Sequence, residues 1–170
     1  FPEDYPHTPP DVKFMTNDGN IRFHPNLYKN SKVCLSVLNT WKGEQWTGCQ
    51  SIKSILLTIS SILEYKALTN EPGIKETHKD VENYDKIIAY KTMDVAIYKL
   101  LNNNLYLDKN FDCFKDIMNN YFKDNFKNIL KKLDIFNDNE EINTSIYNLN
   151  FKIDKNLIIN NLNNLLKKID

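Results

Sequence analysis

The hydrophobic pattern of this 170-residue chain changes its period once, and that change limits the possible folds more than any other feature. Residues 12–14, 21–23 and 33–37 alternate apolar and polar side chains, and Pro, Gly and Asn separate these short runs. Such alternation predicts short, strand-like extended pieces. From residue 52 onward, apolar residues instead recur at helical spacing. The rest of the chain is therefore predicted to be mainly helical.

Two helices are predicted in the middle of the chain. Thr47, with Gln50 three residues later, forms a capping-box pattern, so the first helix is expected to begin near Gly48 and to end near Tyr65. The proline and glycine in residues 70–73 interrupt the helical pattern. A second helix is expected from about residue 81 to residue 101, and its inner face is predicted to carry Tyr84, Ile87, Ile88, Val95 and Leu100.

The composition changes at residue 102. Asparagine occurs 7 times in residues 1–101 and 18 times in residues 102–170, but the apolar residues between these asparagines keep a helical phase. We therefore predict an ordered, Asn-rich helical extension at 102–170 with two amphipathic helices, at about 111–133 and 158–169, and a solvated loop without special chemistry at 138–141. Because the apolar faces are wide, we expect these helices to pack on residues 1–101 or on each other.

Charge and cysteine content exclude several classes of function. Basic and acidic residues number 22 each, so no basic surface for nucleic acid or for an anionic membrane is predicted. Three cysteines without a C-x-x-C pair and three scattered histidines predict neither a disulfide framework nor a metal site. The apolar run 55–63 is too short to cross a bilayer and no signal-peptide pattern opens the chain. We expect a cytoplasmic or nuclear protein.

A carboxamide and a thiol occur eight residues apart in the segment 23–36. Asn26 follows His24 and Pro25, and Cys34 lies between Val33 and a leucine. A cysteine thiolate is both a good nucleophile and a good leaving group, and a fixed amide can donate a hydrogen bond to an oxyanion. The pair therefore suits acyl transfer through a thioester. Taken alone, a cysteine in such an apolar run is more often a small buried hydrophobe.

The order of motifs resembles the ubiquitin-conjugating (E2) enzyme family from residue 1 to about residue 101. The resemblance is carried by Phe-Pro-Glu-Asp-Tyr-Pro at 1–6 with further prolines at 9 and 10, Val-Lys-Phe at 12–14, His-Pro-Asn at 24–26, Cys-Leu-Ser-Val-Leu at 34–38, and Trp46. It implies the α+β fold of the UBC (E2) domain, an antiparallel sheet flanked by helices, here followed by a helical C-terminal extension.

The resemblance also indicates which part of an E2 enzyme this chain represents and which branch of the family it is most similar to. In E2 enzymes an N-terminal helix and the first strands precede the segment that matches residues 1–6, and this chain has no initiator Met, so residues 1–101 are expected to be a partial UBC catalytic core of a longer protein. Trp-Lys-Gly at 41–43, Asn-Glu-Pro-Gly at 70–73 and the long tail are most similar to the extended branch typified by ubiquitin-conjugating enzyme E2 Z. The catalytic domains of the very large E2 proteins share the first two features.

The resemblance implies a role for each residue near the cysteine. Cys34 would accept the C-terminal carboxyl of ubiquitin, or of a ubiquitin-like modifier, from an activating (E1) enzyme. Asn26 matches the family's oxyanion-stabilising asparagine, although the same side chain would also brace the loop beside the cysteine, and both interpretations stay open. His24 and Pro25 would have a structural role, holding the turn.

Tyr28 and Glu71 match positions where other E2 enzymes line the groove that admits the acceptor lysine. A lysine with a solution pKa of about 10.4 must lose its proton before it attacks the thioester. A partly desolvated groove lowers that pKa, while a carboxylate positions the amine. Many E2 enzymes have Asp where Glu71 stands.

The loops that face ubiquitin ligases (E3) in the family include His7, Trp46 and Gly48. His7 stands where many E2 enzymes have Phe, and Thr-Gly-Cys at 47–49 stands where many have Ser-Pro-Ala. Loss of an aromatic anchor and a proline predicts weaker docking on a generic ligase. The partners implied are the modifier, an E1, substrate lysines and, where one is used, an E3. No cofactor or metal is implied, since only the E1 consumes ATP.

Two other functions compete with an E2 transferase. The first is a catalytically inactive E2-like scaffold that binds ubiquitin or a ligase, and the presence of Cys34 argues against it. The second is a cysteine hydrolase that uses His24 as its general base. The resemblance favours a structural histidine and so favours the transferase.

Overall fold

The computed structural model describes residues 1–103, 105 and 109–169. The chain forms two compact units, Phe1–Val81 and Glu82–Asp170. The α-helices of the described residues are α1 (Ile52–Ile62), α2 (Asp80–Lys91), α3 (Lys115–Lys131) and α4 (Lys155–Ile169), and the strands are β1 (Glu141–Thr144) and β2 (Leu149–Lys152). The mixture of helices with a small antiparallel sheet confirms the predicted α+β class.

The first unit contains little regular structure besides α1. Short 3-10 helices cover Ser36–Leu38 and Ala67–Asn70. The predicted strand-like pieces do not become strands within residues 1–81, because pieces 12–14 and 33–37 make only isolated bridges. Each piece is only three to five residues long, and turns with left-handed backbone at Gly19, Ser31 and Asn39 end the pairing.

One apolar cluster holds this unit together. The predicted inner face of residues 33–37 and the inner face of α1 both contribute to it. Its buried members are Leu27, Val33, Leu35, Leu38, Trp46 and Ile55, and half-buried side chains packed against them are Tyr5, Val12, Phe14, Val37, Ile59 and Ile62.

The start of α1 corrects the sequence prediction. The helix begins at Ile52 and not near Gly48, because a second capping box lies closer to the apolar stripe. The backbone N–H of Ser51 donates to the hydroxyl of Ser54 at 3.0 Å. The predicted cap forms a separate turn instead, in which the N–H of Gln50 donates to the carbonyl of Thr47 at 2.9 Å.

The second helix runs as predicted but changes its type. From Thr92 to Lys99 the backbone of α2 continues as a π-helical segment. Of the predicted inner residues, Tyr84, Ile87 and Val95 are completely buried, whereas Ile88 and Leu100 are half-buried. A π turn holds more residues than an α turn, so positions beyond Thr92 rotate out of the α-helical pattern.

The extension contains the two predicted helices and a hairpin that the sequence did not reveal. Strands β1 and β2 pair antiparallel between α3 and α4, with Ile142 opposite Phe151. Four-residue strands are too short to show a clear alternation. The apolar residues of α3 are only partly buried, because Ile117 and Tyr121 are 65% and 68% exposed while Phe122 is 2% exposed.

The predicted solvated loop 138–141 makes specific polar contacts with α4 and α2. A carboxylate oxygen of Asp138 accepts a hydrogen bond from the backbone N–H of Lys155 at 2.9 Å and so satisfies the first free backbone donor of α4. Glu140 forms an ion pair with Lys86 of α2 at 2.7 Å, and the hydrogen bond from Lys86 lowers the pKa of this carboxyl.

Tyr90 joins α2 to the hairpin and to α4 within the second unit. Its ring packs against those of Phe136 and Phe151. Its hydroxyl donates to the carbonyl of Asp154 at 3.0 Å. Burial, assisted by the charge of Asp94, raises the pKa of Tyr90 to about 12, so the hydroxyl remains a donor at neutral pH.

Candidate active site

Two reciprocal hydrogen bonds join the thiol segment to the carboxamide segment. The backbone N–H of Cys34 donates to the carbonyl of Asn26 at 2.9 Å. In return, the side-chain amide of Asn26 donates to the carbonyl of Cys34 at 2.6 Å. A turn closes the intervening residues, since Tyr28 N–H donates to the carbonyl of Lys32 at 2.9 Å. The eight-residue spacing therefore brings these two site residues into direct contact.

The Asn26 amide has one hydrogen bond in this arrangement and the capacity for another. A carboxamide NH₂ carries two hydrogens, and the contact to the Cys34 carbonyl uses one of them. This contact braces the loop beside the cysteine, which is one of the two roles that the resemblance implies for Asn26. The second hydrogen is chemically suited to an oxyanion on the Cys34 side of the turn.

Cys34 lies in an irregular extended stretch just before the 3-10 helix Ser36–Leu38. The residue is only 3% exposed. The thiol is free, as are those of the exposed Cys49 and Cys113. A thiolate this buried can attack an acyl carbonyl carbon only after the side chains around it move aside.

His24 is buried beside this pair and is held neutral. Its ring nitrogen Nδ1 accepts a hydrogen bond from the backbone N–H of Asn26 at 3.0 Å. Burial, and secondarily the Arg22 guanidinium, lowers the pKa of His24 to about 4, while the backbone carbonyl of Ile62 acts weakly in the opposite direction. His24 Nε2 has no hydrogen-bond partner among the described residues. The Ile62 carbonyl therefore does not form a hydrogen bond of normal geometry with the ring.

The hydrogen bond at Nδ1 bears on the role of His24. A general base needs a lone pair directed at the proton it removes. The Nδ1 lone pair is occupied by Asn26, and the other nitrogen carries the proton of the neutral ring. The geometry therefore supports a structural histidine and disfavours the hydrolase alternative.

Tyr28 and Glu71 come together through a residue that the sequence reasoning missed. The guanidinium carbon of Arg22 lies 3.7 Å from the centroid of the Tyr28 ring. A nitrogen of the same group lies 4.0 Å from a carboxylate oxygen of Glu71, and it also donates to the carbonyl of Pro25. One available signal was composition, because Arg22 is the only arginine among the 22 basic residues.

Glu71 reaches this position from the end of a short 3-10 helix. Ala67 and Leu68 of that helix are buried. The backbone N–H of Glu71 then donates to the carbonyl of Leu68 at 3.0 Å. The carboxylate is thus carried on an anchored turn, and the Glu71 side chain is 30% exposed.

The residues assigned to ligase-facing loops differ in exposure. Trp46 is 7% exposed, and its indole N–H donates to the carbonyl of Pro6 at 2.8 Å. Gly48 lies beside the same carbonyl, since a β-carbon added there would be 4.0 Å from it. His7 and Gly48 are exposed. Trp46 therefore fixes the two loops to each other, and the other two residues are available at their surface.

Two other kinds of feature are absent from the part of the chain that the structure describes. Over residues 1–103, 105 and 109–169, no helix has the length and apolar content needed to cross a membrane. The same residues include no cluster of three or more His, Cys, Asp or Glu side chains arranged to hold a metal ion.

Comparison with known proteins gives consistent matches. A family model described as ubiquitin-conjugating enzyme matches residues 1–93. Ubiquitin-conjugating enzyme E2 Z of Homo sapiens is 46% identical over 103 residues, which cover 59% of this chain and 29% of the relative. The dual E2 ubiquitin-conjugating enzyme/E3 ubiquitin-protein ligase BIRC6 of Homo sapiens is 34% identical over 153 residues, 83% of this chain and 3% of the relative.

A third relative extends the match to a nematode. The probable ubiquitin-conjugating enzyme protein 17 of Caenorhabditis elegans is 33% identical over 150 residues, 82% of this chain and 20% of that protein. The chain thus spans less than a third of the length of each of these three relatives. The family match covers more than half of the chain and includes every residue of the Cys34–Asn26 contact. This chain therefore belongs to the ubiquitin-conjugating enzyme family.

Proposed function

We propose that the protein is an E2 enzyme that accepts ubiquitin, or a ubiquitin-like modifier, as a thioester on Cys34 and transfers it to a lysine. The observation that carries this proposal is the reciprocal hydrogen bonding of Cys34 with Asn26 inside the family match. This arrangement fixes a carboxamide donor beside the one cysteine that the family motif selects.

The first step is thiol exchange. The Cys34 thiolate attacks the carbonyl carbon of the thioester between the modifier and the E1 cysteine, the bond to the E1 sulfur breaks, and the E1 thiolate leaves. Because one thioester replaces another, the exchange is nearly isoenergetic and needs no dedicated base. The neutral His24, whose Nδ1 is already hydrogen-bonded, is consistent with this absence of base catalysis.

The second step is transfer to an amine. A neutral lysine amine attacks the Cys34 thioester and forms a tetrahedral oxyanion. The second N–H of the Asn26 amide donates to this oxyanion, the carbon–sulfur bond breaks, and the attacking nitrogen loses its proton to solvent. Tyr28 and Glu71 line the approach of the lysine. Asn26 thus combines the bracing contact with oxyanion stabilisation.

The partners follow from this chemistry. The modifier and an E1 are required, ATP is consumed by the E1, and an E3 contributes where its surface fits His7 and Gly48, which flank the Trp46 anchor. We place the protein in the cytoplasm or nucleus, because a thioester-forming cysteine works in a reducing compartment. We also propose that residues 102–170 contribute to the choice of modifier.

The test is thioester formation. The full-length protein is incubated with E1, ATP and ubiquitin, and the products are separated on a gel with and without reductant. We expect a reductant-sensitive adduct that Cys34→Ala abolishes and that the matched variants Cys49→Ala and Cys113→Ala retain. No adduct with the wild-type protein, tested with ubiquitin and with ubiquitin-like modifiers, contradicts the proposal and favours an inactive scaffold. Release of free ubiquitin from a conjugate, lost in His24→Ala, would favour the hydrolase.

A further inference from the structure

Arg22 is the feature near the site that neither the motifs nor the two transfer steps require. It is the only arginine of the chain, and its side chain is 15% exposed. A guanidinium is planar and carries several donors, so it can stack on a ring and donate in its own plane at the same time. A lysine side chain in place of Arg22 could not do both. The contacts to the Tyr28 ring and to the Pro25 carbonyl use both properties.

These two contacts, more than Glu71, fix the position of the guanidinium. The distance from Arg22 to the Glu71 carboxylate is 4.0 Å, at the outer limit of an ion pair, and both groups are partly exposed. Ion pairs of this length between partly exposed groups contribute little to stability. The positive charge of Arg22 therefore stays in place if the Glu71 carboxylate turns toward a substrate amine.

The acceptor lysine meets two opposing requirements in this groove. A carboxylate attracts the lysine but stabilises its ammonium form, which cannot attack a thioester. A fixed positive charge beside the carboxylate disfavours that ammonium form. Arg22 supplies such a charge, and through Pro25 it is connected to the turn that carries Asn26.

We propose that Arg22 is a positioning residue for lysine transfer: held by Tyr28 and Pro25 next to Glu71, it favours the neutral form of the acceptor amine in the groove. This proposal rests on the E2 function proposed above. The titratable groups that interact with Arg22 include Glu71, Tyr28 and His24. His24, with a pKa of about 4, is neutral throughout the pH range in which transfer is measured.

The experiment separates loading from transfer. The full-length protein is first loaded with ubiquitin, the E1 is then inactivated, and single-turnover discharge to free lysine is followed as a function of pH. The lysine concentration is saturating, because only then does the pH profile report the bound amine and not the free one. A parallel series uses hydroxylamine, whose amine is already neutral at pH 7.

Three variants are compared with the wild type. Arg22→Gln removes the charge, Arg22→Lys retains a charge without the planar group, and Lys53→Gln removes an exposed charge on α1 as a matched control. Arg22→Gln should raise the pH of half-maximal lysine discharge by about one unit, which corresponds to about tenfold slower transfer near pH 7. Discharge to hydroxylamine should be unchanged, Arg22→Lys should give a smaller shift, and Lys53→Gln should behave as wild type.

The alternative outcomes are distinct. If Arg22→Gln slows discharge to lysine and to hydroxylamine equally, with the same pH midpoint, Arg22 only holds the turn and the proposal is wrong. A pH shift as large in Arg22→Lys as in Arg22→Gln also overturns it, because charge would not be the cause. Thermal unfolding of each variant identifies a loss of folding. If the wild-type protein fails to load, the E2 function itself is wrong. If it loads normally but Arg22→Gln leaves the pH profile unaltered, only the proposal for Arg22 is wrong.

Discussion

Mild acid should destabilise the protein through His24. The residue is 1% exposed, and its pKa is lowered from 6.5 to about 4, mainly by burial. Between these two pH values the unfolded chain binds a proton that the folded protein excludes. The stabilisation from His24 is therefore complete above about pH 6.5 and is lost as the pH falls through about 4. Each unit of pKa difference corresponds to about 1.4 kcal/mol, so the full loss is about 3 kcal/mol.

The assay is urea unfolding at a series of pH values for the wild-type protein and for His24→Asn. Asparagine places a neutral oxygen near the position of Nδ1, so the hydrogen bond from Asn26 is retained while the titrating group is removed. The smaller side chain lowers stability by an amount that does not depend on pH. Between pH 7 and 4 the wild-type free energy of unfolding should fall by about 3 kcal/mol more than that of the variant. Parallel curves would refute the reasoning, since every other group is common to both proteins.

Three further changes have defined outcomes. Asn26→Ala should slow lysine transfer about a hundredfold and impair thioester loading less, whereas equal loss of both steps would indicate a collapsed loop. Gly43→Ala should lower the free energy of unfolding by about 1–3 kcal/mol, because its φ is +134° and an added β-carbon would lie 3.0 Å from that of Ser36; unchanged urea unfolding would show that this turn relaxes freely. Tyr90→Phe removes the hydrogen bond to Asp154 and should cost about 1 kcal/mol in the same measurement, and a cost near zero would mean that water replaces the bond.

The features that the sequence predicted well depend on residues that are close in the chain. Asn26 and Cys34 are eight residues apart, and the turn between them is closed by local hydrogen bonds. The helices follow from apolar spacing, which needs no knowledge of the partner surface. The ordered motifs that indicated the E2 family are likewise local, and the family model confirms that resemblance over residues 1–93.

Local competition explains the helix boundary that was wrong. Thr47 with Gln50 matches the sequence pattern of a capping box, whereas Ser51 with Ser54 forms a capping box in the structure. Only the packing of Ile55 into the apolar cluster decides between them. The hairpin between α3 and α4 was missed for a related reason, since strands of four residues gain their stability from each other and from burial of Ile142, not from their own pattern.

By itself the sequence determined the order and spacing of Asn26 and Cys34, the two residues that we propose carry the thioester chemistry. Only the tertiary structure decided what surrounds them. The indole of Trp46 meets the Pro6 carbonyl across 40 residues of chain, and Arg22 meets Glu71 across a still longer stretch. Such pairs form because burying the apolar cluster offsets the entropy of closing long loops, and that balance depends on the whole unit. The packed core determines which distant polar groups come into contact, and no local sequence pattern predicts these contacts.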